Sequence, residues 1–190
     1  MLPMKNGIFE KTKAAGNKID RFLVENNIIL TRFMEIIFGG IWVVDASFLL
    51  QKNFVTIFTN LILTAGENQP AFLAGWFNFW SSIILPNAYT FMYMIAFFEF
   101  ILAISLILGL GRKIGYAGGF VLSILLWAIP EGFGGPYNSN ITEIGTGIIY
   151  AVVFVFLAIT SSIHGKNKYT ADYYIEKKVD KWKYIAEINY

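Results

Sequence analysis

The stretch Gly111–Leu157 reads GRKIGYAGGFVLSILLWAIP (111–130), EGFGGPYNSN (131–140) and ITEIGTGIIYAVVFVFL (141–157). Two apolar runs flank a loop that is rich in glycine, carries Glu131 and has no lysine or arginine, while Arg112 and Lys113 close the far end. Apolar runs near the roughly 20 residues that a helix needs to cross a bilayer, with a basic turn on one side only, make a membrane hairpin. The rest of the chain is placed relative to it.

Working outward, about 87–110 forms a span before the basic turn, about 113–129 the next, and about 141–163 the last, with Pro130 ending the third because its ring fixes φ and it has no N–H to donate. Asn140 followed by Glu143 is a capping-box pattern for the last span. A first span is expected over about 27–50. The expected fold is therefore all-α and integral to the membrane, a four-transmembrane-helix bundle. Between spans one and two, Phe54, Ile57, Phe58, Leu61 and Ile62 fall on one helical stripe. Phe72, Leu73, Trp76, Phe77 and Trp80 fall on another after a Gly66–Pro70 break. Two amphipathic helices on the outer surface fit this, with a re-entrant pair as the rival reading. Residues 1–26 form a mixed-charge arm without a cleavable signal. The tail, 164–190, is expected to be an amphipathic helix with Ile175, Val179, Trp182 and Ala186 along its stripe.

Composition agrees: 56% of 190 residues are hydrophobic and the charges crowd towards the two ends, too apolar and too segmented for one soluble core. Basic residues concentrate in the arm, the Arg112–Lys113 turn and the tail. The positive-inside rule then places both termini in the cytoplasm and the 52–86 segment and EGFGGP loop outside. There is no cysteine and only one histidine, His164. Disulfides, Cys-ligated iron–sulfur clusters and a bis-histidine haem cannot be built within one copy, and no haem or metal is expected in a single chain. No nucleic-acid partner is expected. Membrane lipid is.

Charges inside spans are costly and ask for a partner or a purpose. Arg32 and Glu35, three apart, can pair on one helix face. Glu99 stands alone in its span: it either pairs with Arg32 across helices, stays protonated, or serves a proton or quinone site. Asp45, Glu131 and Glu143 sit at the outer ends of spans, where they form a candidate outer-face catalytic site or merely cap helices. Gly111, Gly115 and Gly119 recur every four residues and Gly147 with Ala151 repeats the spacing, which predicts close helix packing rather than a phosphate loop. Asn140-Ile141-Thr142 matches a glycosylation pattern, though a capping role suits its place better.

The GRKIGYAGG turn, the Trp127…PEGFGGPY loop and the ITEIGTGIIYAVVF start of the last span resemble the DoxX/DoxD family of small prokaryotic membrane proteins. The resemblance covers Gly109–Leu157 most strongly. It implies a prokaryotic, and in one branch archaeal, cell-membrane protein of sulfur-linked respiration, similar to the large subunit of a thiosulfate:quinone oxidoreductase. Quinone is then a substrate, and a second membrane-associated subunit or larger respiratory complex is the expected partner. Glu131, Gly132, Gly134, Gly135 and Pro136 match the family loop; Glu143 stands where aspartate is usual. On this reading Glu131, Glu143 and Asp45 shape the outer site, while Glu99, Arg32, Glu35 and Trp127 form a candidate quinone and proton site. A non-catalytic accessory subunit is the competing reading, and a small transporter a weaker one, since no inverted repeat is visible.

Overall fold

The computed structural model describes residues 17–135 and 144–188, and all regular structure among them is helical. A helix reaching residue 25 (α1) leads into α2 (Asn27–Leu49). Then come α3 (Phe54–Thr64), α4 (Ala74–Ile84), α5 (Ala88–Leu108), α6 (Arg112–Ala128) and α7 (Thr146–His164), and two short tail helices, α8 (Ala171–Glu176) and α9 (Lys183–Ala186). Among the described residues, three helical stretches are long and apolar enough to cross a membrane: Asn27–Leu49, Ala71–Leu108 and Thr146–His164. At 17 residues α6 is shorter.

Each long helix buries one stripe of period 3.6 and exposes its remaining apolar surface. On α2 the stripe is Arg32, Glu35, Phe38, Trp42, Ala46 and Leu49; on α5 it is Met92, Ala96, Glu99, Leu102, Ala103 and Leu106. These two faces make the most extensive packing in the molecule, and α6 against α7 makes the next. Small residues permit the second pairing: a Cβ on Gly119 would collide with the Phe154 ring, and one on Gly147 with the Trp127 backbone and the Ser123 carbonyl. The expected small-residue packing is thus present at these two positions. Outside the stripes, Phe97, Val152, Phe156 and Ile163 are each more than half exposed. Large apolar side chains facing outward over whole helices are what lipid, not water, would solvate.

The central core joins Phe38, Trp42, Leu102, Leu106, Tyr116 and Phe154. A second cluster, of Leu49, Phe58, Ile62, Ile84, Met92, Ala96 and Ile129, closes one end. Here α3 and α4 form as two separate helices, but they are less detached than expected. Phe58 and Ile62 bury against the bundle while Ile57 and Leu61 stay exposed. α4 does not lie apart from the second span: Leu85–Asn87 continues as a 3-10 turn and joins α4 to α5.

Two expectations are corrected. The last apolar helix starts at Thr146, after Gly145 in an extended left-handed conformation, not near residue 141. The capping box therefore does not begin it, and Asn140 and Glu143 lie outside the described residues. The tail is not one helix: Val179 breaks it with extended backbone, and the pieces fold back on the bundle. The buried Arg112 guanidinium is the physical reason for the second correction, because it pairs with Asp172 and Glu187 of the tail. Between α5 and α6 the chain turns through Gly109 and Gly111, both left-handed (φ +63° and +61°), a conformation that glycine adopts without Cβ strain.

Candidate functional site

Buried charge gathers at both ends of the bundle. At the basic end, Arg32 is 5% exposed and Glu35 1%. Arg32 Nη1 donates to Glu35 Oε2 at 2.6 Å and to the Leu106 carbonyl at 2.6 Å, Nη2 donates to the Ile107 carbonyl, and Nε to the Tyr169 carbonyl at 3.1 Å. The Leu106 and Ile107 carbonyls belong to the C-terminal turn of α5, which has no intrahelical donors left for them. Tyr116 Oη donates to the other Glu35 oxygen. The Arg32–Glu35 pair expected from the spacing is present, and it is enclosed by protein partners.

Arg112, 3% exposed, donates through Nη2 to Glu187 Oε1 at 2.7 Å and through Nε to Asp172 Oδ2 at 3.4 Å. Asp172 also accepts from the Gly111 and Arg112 amides, at 2.7 and 3.1 Å, and from Trp182 Nε1 at 2.7 Å. One buried guanidinium has thus drawn in two segments of the tail. Burial pushes the Glu187 carboxyl up from its ordinary value, Arg112 pulls it down, and neighbouring Glu176 pushes it up again. Glu176 is itself paired with Lys166 Nζ at 2.9 Å.

At the opposite end the described residues bound a cavity of about 850 Å³, a size typical of small-molecule sites. Its wall is largely apolar, with Phe48, Phe54, Phe58, Leu61 and Ile95, and three carboxylates line it: Asp45, Glu99 and Glu131. No lysine, arginine or histidine among the described residues lines it. Glu99, near the middle of α5, is 4% exposed and its Oε2 has no hydrogen-bond partner. It does not pair with Arg32, whose donors are engaged at the other end. Asp45 accepts from Tyr150 Oη at 3.4 Å.

Glu131 accepts from the Gly147 amide at 2.9 Å and is also bonded by that of Thr146, so its carboxylate caps the first turn of α7. Anionic groups are favoured there by unpaired N–H groups and the helix dipole. Burial still raises its pKa from the ordinary 4.5, against the lowering by those two amides. The loop that holds it is clamped from outside. Gln69 Nε2 donates to the Gly132 carbonyl at 2.7 Å and Trp127 Nε1 to the Ile144 carbonyl at 2.7 Å. Phe133, with a left-handed φ of 57°, is held between Trp127, Trp76 and Phe77 at ring separations of 5.2 to 6.1 Å. Strained backbone persists where surroundings over-determine it.

The structure therefore regroups the expected residues. Glu99 joins Asp45 and Glu131 in one cavity, Arg32 and Glu35 belong to the basic end, and Trp127 braces the loop. Trp42 and Tyr150, not anticipated from sequence, also line the cavity. Their signal was weak, since aromatic residues on apolar stripes are ordinarily core. Among the described residues no group of three His, Cys, Asp or Glu could hold a metal ion. Apolar walls with a buried carboxyl, one oxygen of which is unpartnered, suit an apolar molecule bearing a group that exchanges a proton. Compared with protein-family models, with functionally characterised proteins and with solved structures, the chain matches none of them.

Proposed function

We propose that this protein is the membrane subunit of a sulfur-linked respiratory oxidoreductase and that its carboxylate-lined cavity binds membrane quinone. The observation that carries the reading is Glu99: a buried carboxyl, one oxygen unpartnered, lining a cavity that is otherwise mostly apolar. The likeness of the 109–157 stretch to the DoxX/DoxD pattern supplies the sulfur link. In this reading α2, α5, α6 and α7 are four spans, both termini are cytoplasmic, and the Glu131 loop lies outside.

Reducing a quinone to a quinol takes two electrons and two protons. Glu99 gives one proton, and Asp45, bonded to Tyr150, gives the other; the apolar wall excludes water and orients the ring. Oxidising two thiosulfate ions to one tetrathionate releases the two electrons. A cavity lined by three carboxylates repels that dianion, so thiosulfate is oxidised at a separate surface, completed by a partner subunit that carries electrons. With no cysteine in the chain, no thiol carries sulfur on this subunit. The same sequence feature supports the rival reading, an accessory subunit that only helps assemble a respiratory complex.

Thiosulfate-dependent quinone reduction by the purified chain, with and without the proteins that copurify in mild detergent, separates the two. Turnover that falls about 10²-fold in Glu99→Gln, with the complex still assembled, supports the redox reading. A stable complex with no turnover in any preparation supports the accessory one.

A further inference from the structure

The helices α5 and α6 are joined by the short turn at 109–111, yet they pack far less closely on each other than α5 does on α2 or α6 on α7. The wedge between them holds a second concavity of about 970 Å³ whose surface is almost wholly apolar. Small residues on α6 make it deep: Gly115, Ala117 and Gly118 line it, and a Cβ added to Gly118 would meet nothing within 4 Å. Along α6 it runs from Lys113 to Leu125, about 18 Å at ~1.5 Å per residue. That is close to the depth of one leaflet, half of a hydrocarbon core about 30 Å thick.

Its two ends differ. Lys113 lies at one, and the tail residues Trp182 and Ile185 reach over the same end. Trp182 is held there by its bond to Asp172 Oδ1, so the buried network at Arg112 also shapes this groove. The nearby tail surface carries lysines beside aromatic rings, with Lys177 over the Tyr173 ring at 4.2 Å and Lys183, also paired with Asp180 at 3.2 Å, over Tyr184 at 5.6 Å. Lysine, tyrosine and tryptophan side by side are the chemistry of the headgroup level, and juxtamembrane lysines attract anionic lipids.

We propose that this groove is a lipid site that holds one hydrocarbon chain of an anionic phospholipid, with its phosphate at Lys113 beside Trp182. One-leaflet length favours a single chain over a partner's transmembrane helix, which would contact the bundle across the full hydrocarbon core. The single basic end favours an anionic headgroup over a neutral one. The inference does not depend on the redox reading.

The test is native mass spectrometry of the full chain from detergent micelles doped with equal mole fractions of phosphatidylglycerol and phosphatidylcholine. Wild type is expected to retain phosphatidylglycerol preferentially. Lys113→Gln should lower that retention about fivefold and leave phosphatidylcholine unchanged. Gly118→Phe, which fills the groove, should lower retention of both, and Val121→Trp, at an exposed position in the same groove, should repeat the loss if the first variant does not fold. Thermal melts identify the folded variants. Unchanged retention in folded Gly118→Phe and Val121→Trp overturns the proposal. So does a dimer mass that these variants abolish, or displacement of phosphatidylglycerol by quinone added at equal mole fraction.

Discussion

The two ends of the bundle handle buried charge in opposite ways. At the basic end Arg32 and Arg112 are each met by a carboxylate and by further polar groups, and the donors on both guanidiniums reach protein acceptors. At the cavity end Glu99 has no cationic partner at all among the described residues, and Asp45 has only a long bond from a phenol. Oxygens of Glu187 and Glu176 also lack a hydrogen bond, so the ends differ in counter-charge: carboxylates that face a guanidinium hold parts together, whereas Glu99 has no cation to hold. Arg32 and Glu35 looked from sequence like companions of Glu99. Their partners place both at the basic end instead, where Arg32 also holds the Tyr169 carbonyl of the tail.

The contrast is broken most directly at Arg112. Arg112→Gln leaves Asp172 and Glu187 buried without their counter-charge, and should cost about 3–5 kcal/mol, the usual penalty for removing one member of a buried pair. Denaturant unfolding in detergent measures it. Adding Glu187→Gln to that variant should recover part of the loss, because one stranded charge is then gone; no recovery would mean that the two groups are not coupled.

Glu99→Gln should do the reverse. With no partner lost at Oε2, stability should change by less than about 1 kcal/mol while quinone binding falls, a split that equilibrium unfolding and quinone titration resolve together. A large destabilisation would place Glu99 with the structural charges and erase the comparison.

The smallest effect is at Glu131, which belongs to both kinds because it caps α7 and also lines the cavity. Burial raises its pKa in the fold above the ordinary 4.5, so the folded chain holds this proton more tightly than the unfolded chain does. Its contribution to stability is full below pH 4.5 and is lost as pH rises through the raised value. Melting temperature against pH should show that decline in wild type and a flatter profile in Glu131→Gln.

How much of this was legible beforehand depends on the range of the interaction. The apolar runs, the glycine turn at 109–111 and the pairing of Arg32 with Glu35 are local, and period and spacing suffice to read them. The start of α7 was misplaced because a good capping pattern at Asn140 and Glu143 competes with Gly145, whose positive φ is a property of the folded loop. The tail was misread because its stripe scores as a helix in isolation, while a guanidinium sixty residues earlier bends it inward. Gln69 and Trp76, which clamp the Glu131 loop and the end of α6, carry no local signal of that task; their partners are 63 and 52 residues away.

By itself, then, the sequence determined that this chain is helical, that it belongs in a membrane, and which few charges lie within its apolar runs, because hydrophobic length and period are written residue by residue. Only the tertiary structure decided which charges meet. Partner choice depends on how α2, α5, α6 and α7 are rotated against one another, and that rotation is set by the packing of whole stripes. It put Glu99 with Asp45 and Glu131 in one cavity and gave Arg32 and Arg112 to the tail.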